Sequence, residues 1–181
     1  MCSNTDLSRR QFLQKALSAM VGVGVLASLF PFLRSWFPSQ QTLLSEAPVR
    51  CDISTLEPGD LMTVLWQGKP VWILRRTPLM VQSLTLNNSQ LRDPHSREAF
   101  QPANIQNDFR SLHQEYFVAI GQCTHMGCIP MLKQKAFVCP CHGSRFDLAG
   151  RVVKDVPAPR NLDIPPYRFD DLGQTIVIGE T

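Results

Sequence analysis

Hydrophobic positions divide the chain into one long apolar run near its N-terminus and a body of short apolar segments. Residues 16–33 contain no charged side chain, and only the hydroxyl groups of Ser18 and Ser28 interrupt the run. The core helix of a soluble domain would instead carry one polar face. A helix of this length spans roughly 27 Å, which nearly matches the hydrocarbon core of a bilayer. The pattern predicts a membrane-spanning helix.

The body predicts short antiparallel strands. Its apolar segments are brief, rich in β-branched and aromatic residues, and separated by turn-forming residues. Residues 83–114 show no steady period and predict a loop with a short helix. We therefore expect a mainly β domain after the N-terminal helix. The predicted strands cover residues 61–66, 71–74, 116–120, 136–138 and 175–178.

Positive charge is confined to the N-terminus. The chain has a formal net charge of +3, with 18 basic and 15 acidic groups. Four of the basic groups and one acidic group lie in residues 1–38, so the body has no net charge and no electrostatic footprint for nucleic acid. Three basic residues precede the apolar run and only Arg34 follows it. This asymmetry predicts a cytoplasmic N-terminus and a body on the far side of the membrane.

The first residues resemble a bacterial export signal. Ser8-Arg9-Arg10-Gln11-Phe12-Leu13 is similar to the twin-arginine motif, an address used by proteins that fold around a cofactor before export. No A-x-A cleavage site closes the apolar run, so we expect residues 1–38 to remain as an anchor. The largely polar residues 39–50 predict a tether. Residues 51–181 then form the head domain.

Chemistry-bearing residues are concentrated in two boxes. Residues 123–128 read C-T-H-M-G-C and residues 139–144 read C-P-C-H-G-S, so the boxes hold four of the six cysteines and two of the four histidines. Two structural disulfides in an exported domain would explain the cysteines but not the repeated Cys/His pairing. A closed zinc site would take tetrahedral Cys and His ligands, and Cys128 and Cys141 would then be surplus to the ligand set.

The boxes resemble those of Rieske iron-sulfur proteins, in the variant found in the Rieske subunit of bacterial ubiquinol:cytochrome c reductases, the cytochrome bc complexes. The resemblance implies one 2Fe-2S cluster, with Cys123 and Cys139 on one iron and His125 and His142 on the other. It implies a Rieske-type head whose small cluster-binding subdomain covers about residues 121–160.

The same resemblance assigns roles to neighbouring residues. Cys128 and Cys141 would form a disulfide that joins the two boxes. The Ser144 hydroxyl would donate a hydrogen bond to a bridging sulfide. His142 would contact the quinol, and His125 would be the second imidazole whose proton affinity follows the charge of the iron.

The implied ligand set explains why such a centre accepts electrons from a quinol. Two ferric ions, two sulfides and two thiolates carry no net charge, because neutral imidazoles add none. An electron enters this neutral centre more easily than one with four thiolates, and the midpoint potential lies at about −150 to +300 mV, against about −400 mV for plant-type ferredoxins. The added electron also makes the imidazoles hold a proton more strongly, so one electron and one proton leave the quinol together.

The chain departs from the family pattern at two positions. Phe146 stands where high-potential members carry a tyrosine that donates a hydrogen bond to a ligand thiolate, so we expect a lower potential here. Residues 155–160 resemble the family's proline loop, which covers the cluster from a third side, but Val156 replaces its glycine. Outside the boxes, Cys51 is predicted to be a buried or free thiol, because Cys2 lies across the membrane.

The implied function is that of the electron-transfer subunit of a quinol–cytochrome-c reductase, a translocase. The head would take an electron from quinol at a cytochrome b subunit and pass it to a c-type cytochrome in a dimeric complex. The protein would be a single-pass component of the bacterial inner membrane with a periplasmic head. The alternative is the Rieske small subunit of another exported oxidoreductase resembling arsenite oxidase, which Phe146 favours and Gly143 and residues 157–159 oppose.

Overall fold

The computed structural model describes residues 4–37, 39, 47–85, 88–170 and 172–180. The chain divides into two compact units, Met1–Leu44 and Ser45–Thr181. The described part of the first unit forms helix α1 (Asn4–Ser35), with Pro31 inside its last turns. Its segment Ser8–Ser35 has a mean hydropathy of 2.0 and is long and apolar enough to cross a membrane. The predicted membrane helix is therefore present.

The second unit is built mainly of antiparallel strands. Its described residues also form helix α2 (Pro78–Thr85) and two short 3-10 turns, Asn88–Gln90 and Ala103–Ile105. The strands are β1 (Val49–Asp52), β2 (Leu61–Trp66), β3 (Lys69–Arg75), β4 (Tyr116–Ile120), β5 (Met131–Lys133), β6 (Ala136–Val138), β7 (Arg145–Phe146), β8 (Tyr167–Phe169) and β9 (Thr175–Ile178).

All five strands predicted from the sequence are present, and four others were missed. The missed strands β1, β5, β7 and β8 contain two to four residues each and include a charged residue, so their pairing partners rather than an apolar pattern define them. Strand β1 begins at Val49, so the last two residues of the predicted tether belong to the head, where Val49 pairs with Ile178. Residues 40–46 of the tether lie outside the described residues.

The strands form three three-stranded sheets with the orders β1-β9-β8, β2-β3-β4 and β5-β6-β7. The second of these, β2-β3-β4, is called the middle sheet, and residues 71–74 of β3 and residues 117–119 of β4 are fully or almost fully buried. The first box follows β4 and precedes β5, and the second box lies between β6 and β7. The small third sheet therefore holds the two boxes side by side.

An aromatic stack joins the middle sheet to the sheet that carries the boxes. The rings of Trp72 in β3 and Phe137 in β6 lie 4.8 Å apart between centroids and are nearly parallel. Gly121, two residues before the first box, approaches the same indole so closely that a Cβ atom there would lie 2.4 Å from Trp72 Cε2. This contact requires glycine and places the start of the first box directly on the stack.

Buried arginines organise the irregular region predicted as a loop. Arg110 is fully buried and donates hydrogen bonds to the carbonyl oxygens of Ala149, Gly150 and Leu162. Burial lowers the pKa of the Arg110 guanidinium to about 10. Arg151, also fully buried, pairs with Asp147 at 2.7 Å. Arg110 thus ties the irregular region to residues 149–162, and Arg151 ties those residues back to the carbonyls of Leu84 and Pro94.

Candidate metal centre

The two boxes adopt the same backbone turn. In the first box the Gly127 N–H donates to the Cys123 carbonyl at 2.8 Å, and in the second the Gly143 N–H donates to the Cys139 carbonyl at 3.0 Å. Both glycines have a positive φ, 77° and 73°, and open space where a Cβ would lie. Glycine is therefore required by the left-handed backbone conformation rather than by crowding.

A second hydrogen bond closes each turn. The N–H of Cys123 donates to the Cys128 carbonyl at 2.7 Å, and the N–H of Cys139 donates to the Ser144 carbonyl at 2.8 Å. In the first cysteine of each box, both the backbone N–H and the carbonyl are therefore hydrogen-bonded within the turn. The two loops present their first cysteines in equivalent positions.

The thiols of Cys123 and Cys139 face the interior. Their residues are only 3% and 2% exposed, and neither forms a disulfide. Burial raises the pKa of the Cys123 thiol, and its contact with the Cys139 thiol adds to the increase. The His125 backbone and the Ser144 hydroxyl act in the opposite direction by hydrogen bonding to the Cys123 sulfur. Two sulfur donors from different boxes therefore meet in a buried position.

The two imidazoles lie at the surface. The rings of His125 and His142 are edge to face, with 4.8 Å between their centroids, and both residues are exposed. Their neighbours Met126 and Ile129 expose 73% and 56% of their surface. Each box contributes one buried thiol and one exposed imidazole, and the imidazole pair is the part of the site that a partner can reach.

A disulfide joins Cys128 to Cys141, with their Cα atoms 6.6 Å apart. The sulfur atoms of Cys128, Cys139 and Cys141 lie within 4.8 Å of one another. This trio is not a metal site, because two of its sulfurs are already bonded to each other and only a thiolate ligates a metal. The disulfide links the two boxes covalently beside the buried thiols.

A third loop, residues 155–160, closes against both boxes. The Ala158 N–H donates to the Ser144 hydroxyl oxygen at 3.0 Å, and the Thr124 hydroxyl donates to the Arg160 carbonyl at 2.6 Å. The left-handed residue of this loop is Asp155, with φ of 59°, and not Val156. The valine that replaces the family's glycine therefore stands at a position with ordinary backbone geometry.

Other residues singled out from the sequence lie in the core. Phe146 in β7 is fully buried and pairs across the sheet with Phe137. Cys51 in β1 is a buried free thiol, as predicted. Sequence reasoning missed Arg92, whose guanidinium contacts the third loop. No spacing signal reveals it, because it lies in the irregular region well before the first box.

The donors fit a dinuclear iron-sulfur cluster. Two adjacent buried thiols can supply two thiolates to one iron, and two neighbouring imidazoles can supply neutral nitrogen ligands to the other. The thiol pair is shielded from solvent and the imidazole pair is exposed to solvent. This arrangement matches a cofactor that is enclosed on one side and accessible on the other. The fold and the site therefore define an iron-sulfur protein of the electron-transfer class.

Comparison with known proteins gives the family. Residues 47–167 match the Rieske 2Fe-2S domain. The chain is 46% identical over 184 residues to the ubiquinol-cytochrome c reductase iron-sulfur subunit of Allochromatium vinosum, covering 95% of this chain and 88% of that protein. It is 40% identical over 184 residues to the subunit of the same name from Rhodospirillum rubrum, covering 96% and 93%.

A solved structure supports the same relationship. A chain from "Hyperthermophilic respiratory Complex III" superposes with a TM-score of 0.52 and 27% identity, covering 90% of this chain and 98% of that chain. The chain belongs to the Rieske iron-sulfur protein family, and its cofactor is a Rieske-type 2Fe-2S cluster. This membership excludes the closed zinc site and the disulfide-only explanation of the boxes.

Proposed function

We propose that this chain is the membrane-anchored electron-transfer subunit of a quinol:cytochrome c oxidoreductase. It takes an electron and a proton from quinol bound at a cytochrome b subunit and passes the electron to a c-type cytochrome. The observation that supports this most directly is the edge-to-face pair of exposed imidazoles, His125 and His142, beside the buried thiols. The relatives named above are reductase subunits of this type.

The proposed ligands are the four donors of the boxes. Cys123 and Cys139 hold one iron, and His125 and His142 hold the other. When bound, the cluster supplies one-electron chemistry at a potential suited to quinol oxidation. The buried thiol side excludes water, while the surface position of the imidazoles leaves their free ring nitrogens open to a substrate.

The proton is held by the histidines. His142 is proposed to contact the quinol hydroxyl through the ring nitrogen that does not bind iron, and His125 offers a second nitrogen of the same kind. Apolar side chains flank this position, with Met126 and Ile129 exposed beside the first box. Exposed apolar groups of this size are typical of a docking surface, here for the quinol-bearing cytochrome b subunit.

The anchor determines where this chemistry takes place. The basic residues Arg9, Arg10 and Lys15 precede the apolar part of α1 and Arg34 follows it, which favours a cytoplasmic N-terminus and a periplasmic head in the bacterial inner membrane. We propose that the twin-arginine-like residues direct export of the folded head with its cofactor. As part of the reductase, the subunit contributes to a translocase whose complex is dimeric.

The segment between the two units is proposed to be a hinge. It is polar and connects α1 to β1, which begins at Val49. Removing several residues between 39 and 48 should slow cytochrome reduction in the assembled complex without altering the cluster spectrum. Replacing the same number of residues by glycine and serine is the matched control. Unchanged turnover after shortening would refute the hinge.

One observation favours a second candidate. Phe146 occupies the tyrosine position, as it can in Rieske subunits of arsenite-oxidase-like enzymes. In that case a molybdenum subunit, not quinol, would reduce the cluster. Reduction of the purified complex by a ubiquinol analogue and not by arsenite favours the quinol enzyme. Reduction by arsenite and not by quinol would favour the alternative.

The experiment that tests the main proposal is electron paramagnetic resonance of the full-length chain, purified in detergent with its cofactor. A Rieske-type signal with nitrogen couplings from two imidazoles is expected, together with a midpoint potential that falls at alkaline pH. Cys139→Ser should abolish the signal. Cys51→Ser, which alters a buried free thiol in β1, should retain it. A signal that survives Cys139→Ser would overturn the ligand assignment.

A further inference from the structure

The third loop is held over the boxes by more than its own contacts with them. Ala158 is fully buried, and its N–H bonds to the Ser144 hydroxyl oxygen at 3.0 Å. Loops rich in proline form few internal hydrogen bonds, because proline lacks an N–H. The position of residues 155–160 therefore depends on donors from outside the loop.

Arg92 supplies two of those donors. One terminal nitrogen of its guanidinium donates to the Ala158 carbonyl at 2.9 Å, and the other donates to the Val156 carbonyl at 3.0 Å. A planar guanidinium can span two carbonyls in a fixed geometry, which a lysine ammonium cannot reproduce. The two bonds bracket Pro157 and fix the middle of the loop.

The base of Arg92 is itself anchored. Its backbone N–H donates to the Val152 carbonyl at 2.9 Å, and the neighbouring Leu91 forms a β-bridge with Val153. The Lys154 N–H donates to the Gln90 carbonyl at 2.9 Å on the same side. The guanidinium therefore extends from a backbone segment that is paired with the chain leading into the third loop.

We infer that Arg92 is a positioning residue for the cluster, acting through Ala158 and Ser144. A serine hydroxyl has one hydrogen. When its oxygen accepts the Ala158 N–H, that hydrogen is left to be donated to a sulfur acceptor of the cluster. By holding the Ala158 carbonyl, Arg92 also keeps the Ala158 N–H in place. It thereby maintains the orientation of the Ser144 hydroxyl. The inference rests on the proposed function, since the cluster must lie between the two boxes, next to Ser144.

A set of variants separates geometry from charge. Arg92→Gln removes the guanidinium. Arg92→Lys keeps the positive charge but loses the paired hydrogen bonds to the carbonyls of Ala158 and Val156. Lys154→Gln is the matched control: its ammonium bonds to the Ser89 carbonyl at 2.8 Å, so the change removes one nearby charge without touching the third loop. All are measured as full-length protein with the cluster bound.

Two measurements are made on each variant. Hydrogen exchange followed by mass spectrometry should show the Ala158 amide exchanging at least about tenfold faster in Arg92→Gln, with a smaller increase in Arg92→Lys. The midpoint potential should fall in both variants and stay close to wild type in Lys154→Gln. In the Ser144→Ala background, Arg92→Gln should cause no further fall, because both substitutions remove the same hydroxyl donor.

The outcomes distinguish the inference from the proposed function. A wild-type chain without a Rieske signal would defeat the proposed function. With that signal present, wild-type exchange and potential in Arg92→Gln would overturn the inference alone. A wild-type potential in Arg92→Lys would also overturn the inference, because it would show that only the positive charge matters. Additive effects of Arg92→Gln and Ser144→Ala on the potential would overturn it as well. If Arg92→Gln fails to retain the cluster, Arg92→Lys decides the question by the same two measurements.

Discussion

The Ser144 hydroxyl oxygen accepts a hydrogen bond from the Ala158 N–H at 3.0 Å, which ties the second box to the third loop. The same hydroxyl opposes the rise that burial causes in the pKa of the Cys123 thiol in the first box. One fully buried serine therefore acts on groups in all three loops that surround the site. Its replacement should affect the electronic properties of the centre more than the fold.

Ser144→Ala should lower the midpoint potential, because a hydrogen bond to sulfur stabilises the reduced state. A donor worth about 1.4 kcal/mol more in the reduced state corresponds to roughly 60 mV for one electron. Redox titration of the full-length protein measures this. Ser111→Ala, at a buried serine that bonds to Arg76, should leave the potential unchanged. Equal shifts in both variants would contradict the assignment.

Phe146→Tyr should raise the potential. Phe146 is fully buried in β7 beside the second box, so an added phenol hydroxyl can regain the sulfur donor that this chain lacks. The rise should be of the same order as the fall expected for Ser144→Ala. Phe137→Tyr adds the same hydroxyl to the residue paired with Phe146 and serves as the control. An unchanged midpoint in Phe146→Tyr would show that the hydroxyl does not reach a ligand sulfur.

Gly121→Ala should destabilise the head, because the new Cβ would lie 2.4 Å from Trp72 Cε2. Overpacking of this kind costs about 1–3 kcal/mol. Thermal unfolding and cluster content measure the loss. Trp72→Leu in the same chain removes the ring that the new Cβ would strike, so the double variant should recover part of the stability. A double variant no more stable than expected from two independent losses would mean that the clash is not the cause.

Asp170 should make the stability of the head depend on pH. Hydrogen bonds from the backbone N–H groups of Thr175 and Gln174 lower the pKa of its carboxyl below the ordinary 3.8. A carboxyl with a lowered pKa in the folded state stabilises the fold above its unfolded pKa, and this contribution is lost as the pH falls through the folded pKa.

Asp170→Asn should therefore reduce the unfolding temperature at pH 7, and the difference from wild type should shrink towards pH 3. Asp108→Asn, at an exposed carboxylate, is the control and should produce little change at either pH. A difference that stays constant between pH 7 and pH 3 would show that the Asp170 charge does not contribute to the stability.

Local patterns in the sequence were sufficient for the anchor, for five of the nine described strands and for the two boxes. An uncharged run of this length has no favourable place except a membrane or a core. Strands such as Leu61–Trp66 carry their own β-forming residues, and a box with three Cys or His residues within six positions is visible without any partner. The Rieske family could therefore be inferred from residues 123–144 and then confirmed.

Tertiary structure alone decided the remainder, because the interactions involved join residues far apart in the chain. The two-residue strand β7 exists only because it pairs with β6, and the irregular region before β4 is held by buried guanidinium groups such as that of Arg110. Arg92 reaches the third loop across 66 positions to Ala158. The sequence determined which residues can bind the cluster, and the fold decided which thiols are buried, which imidazoles are exposed and what holds the loops together.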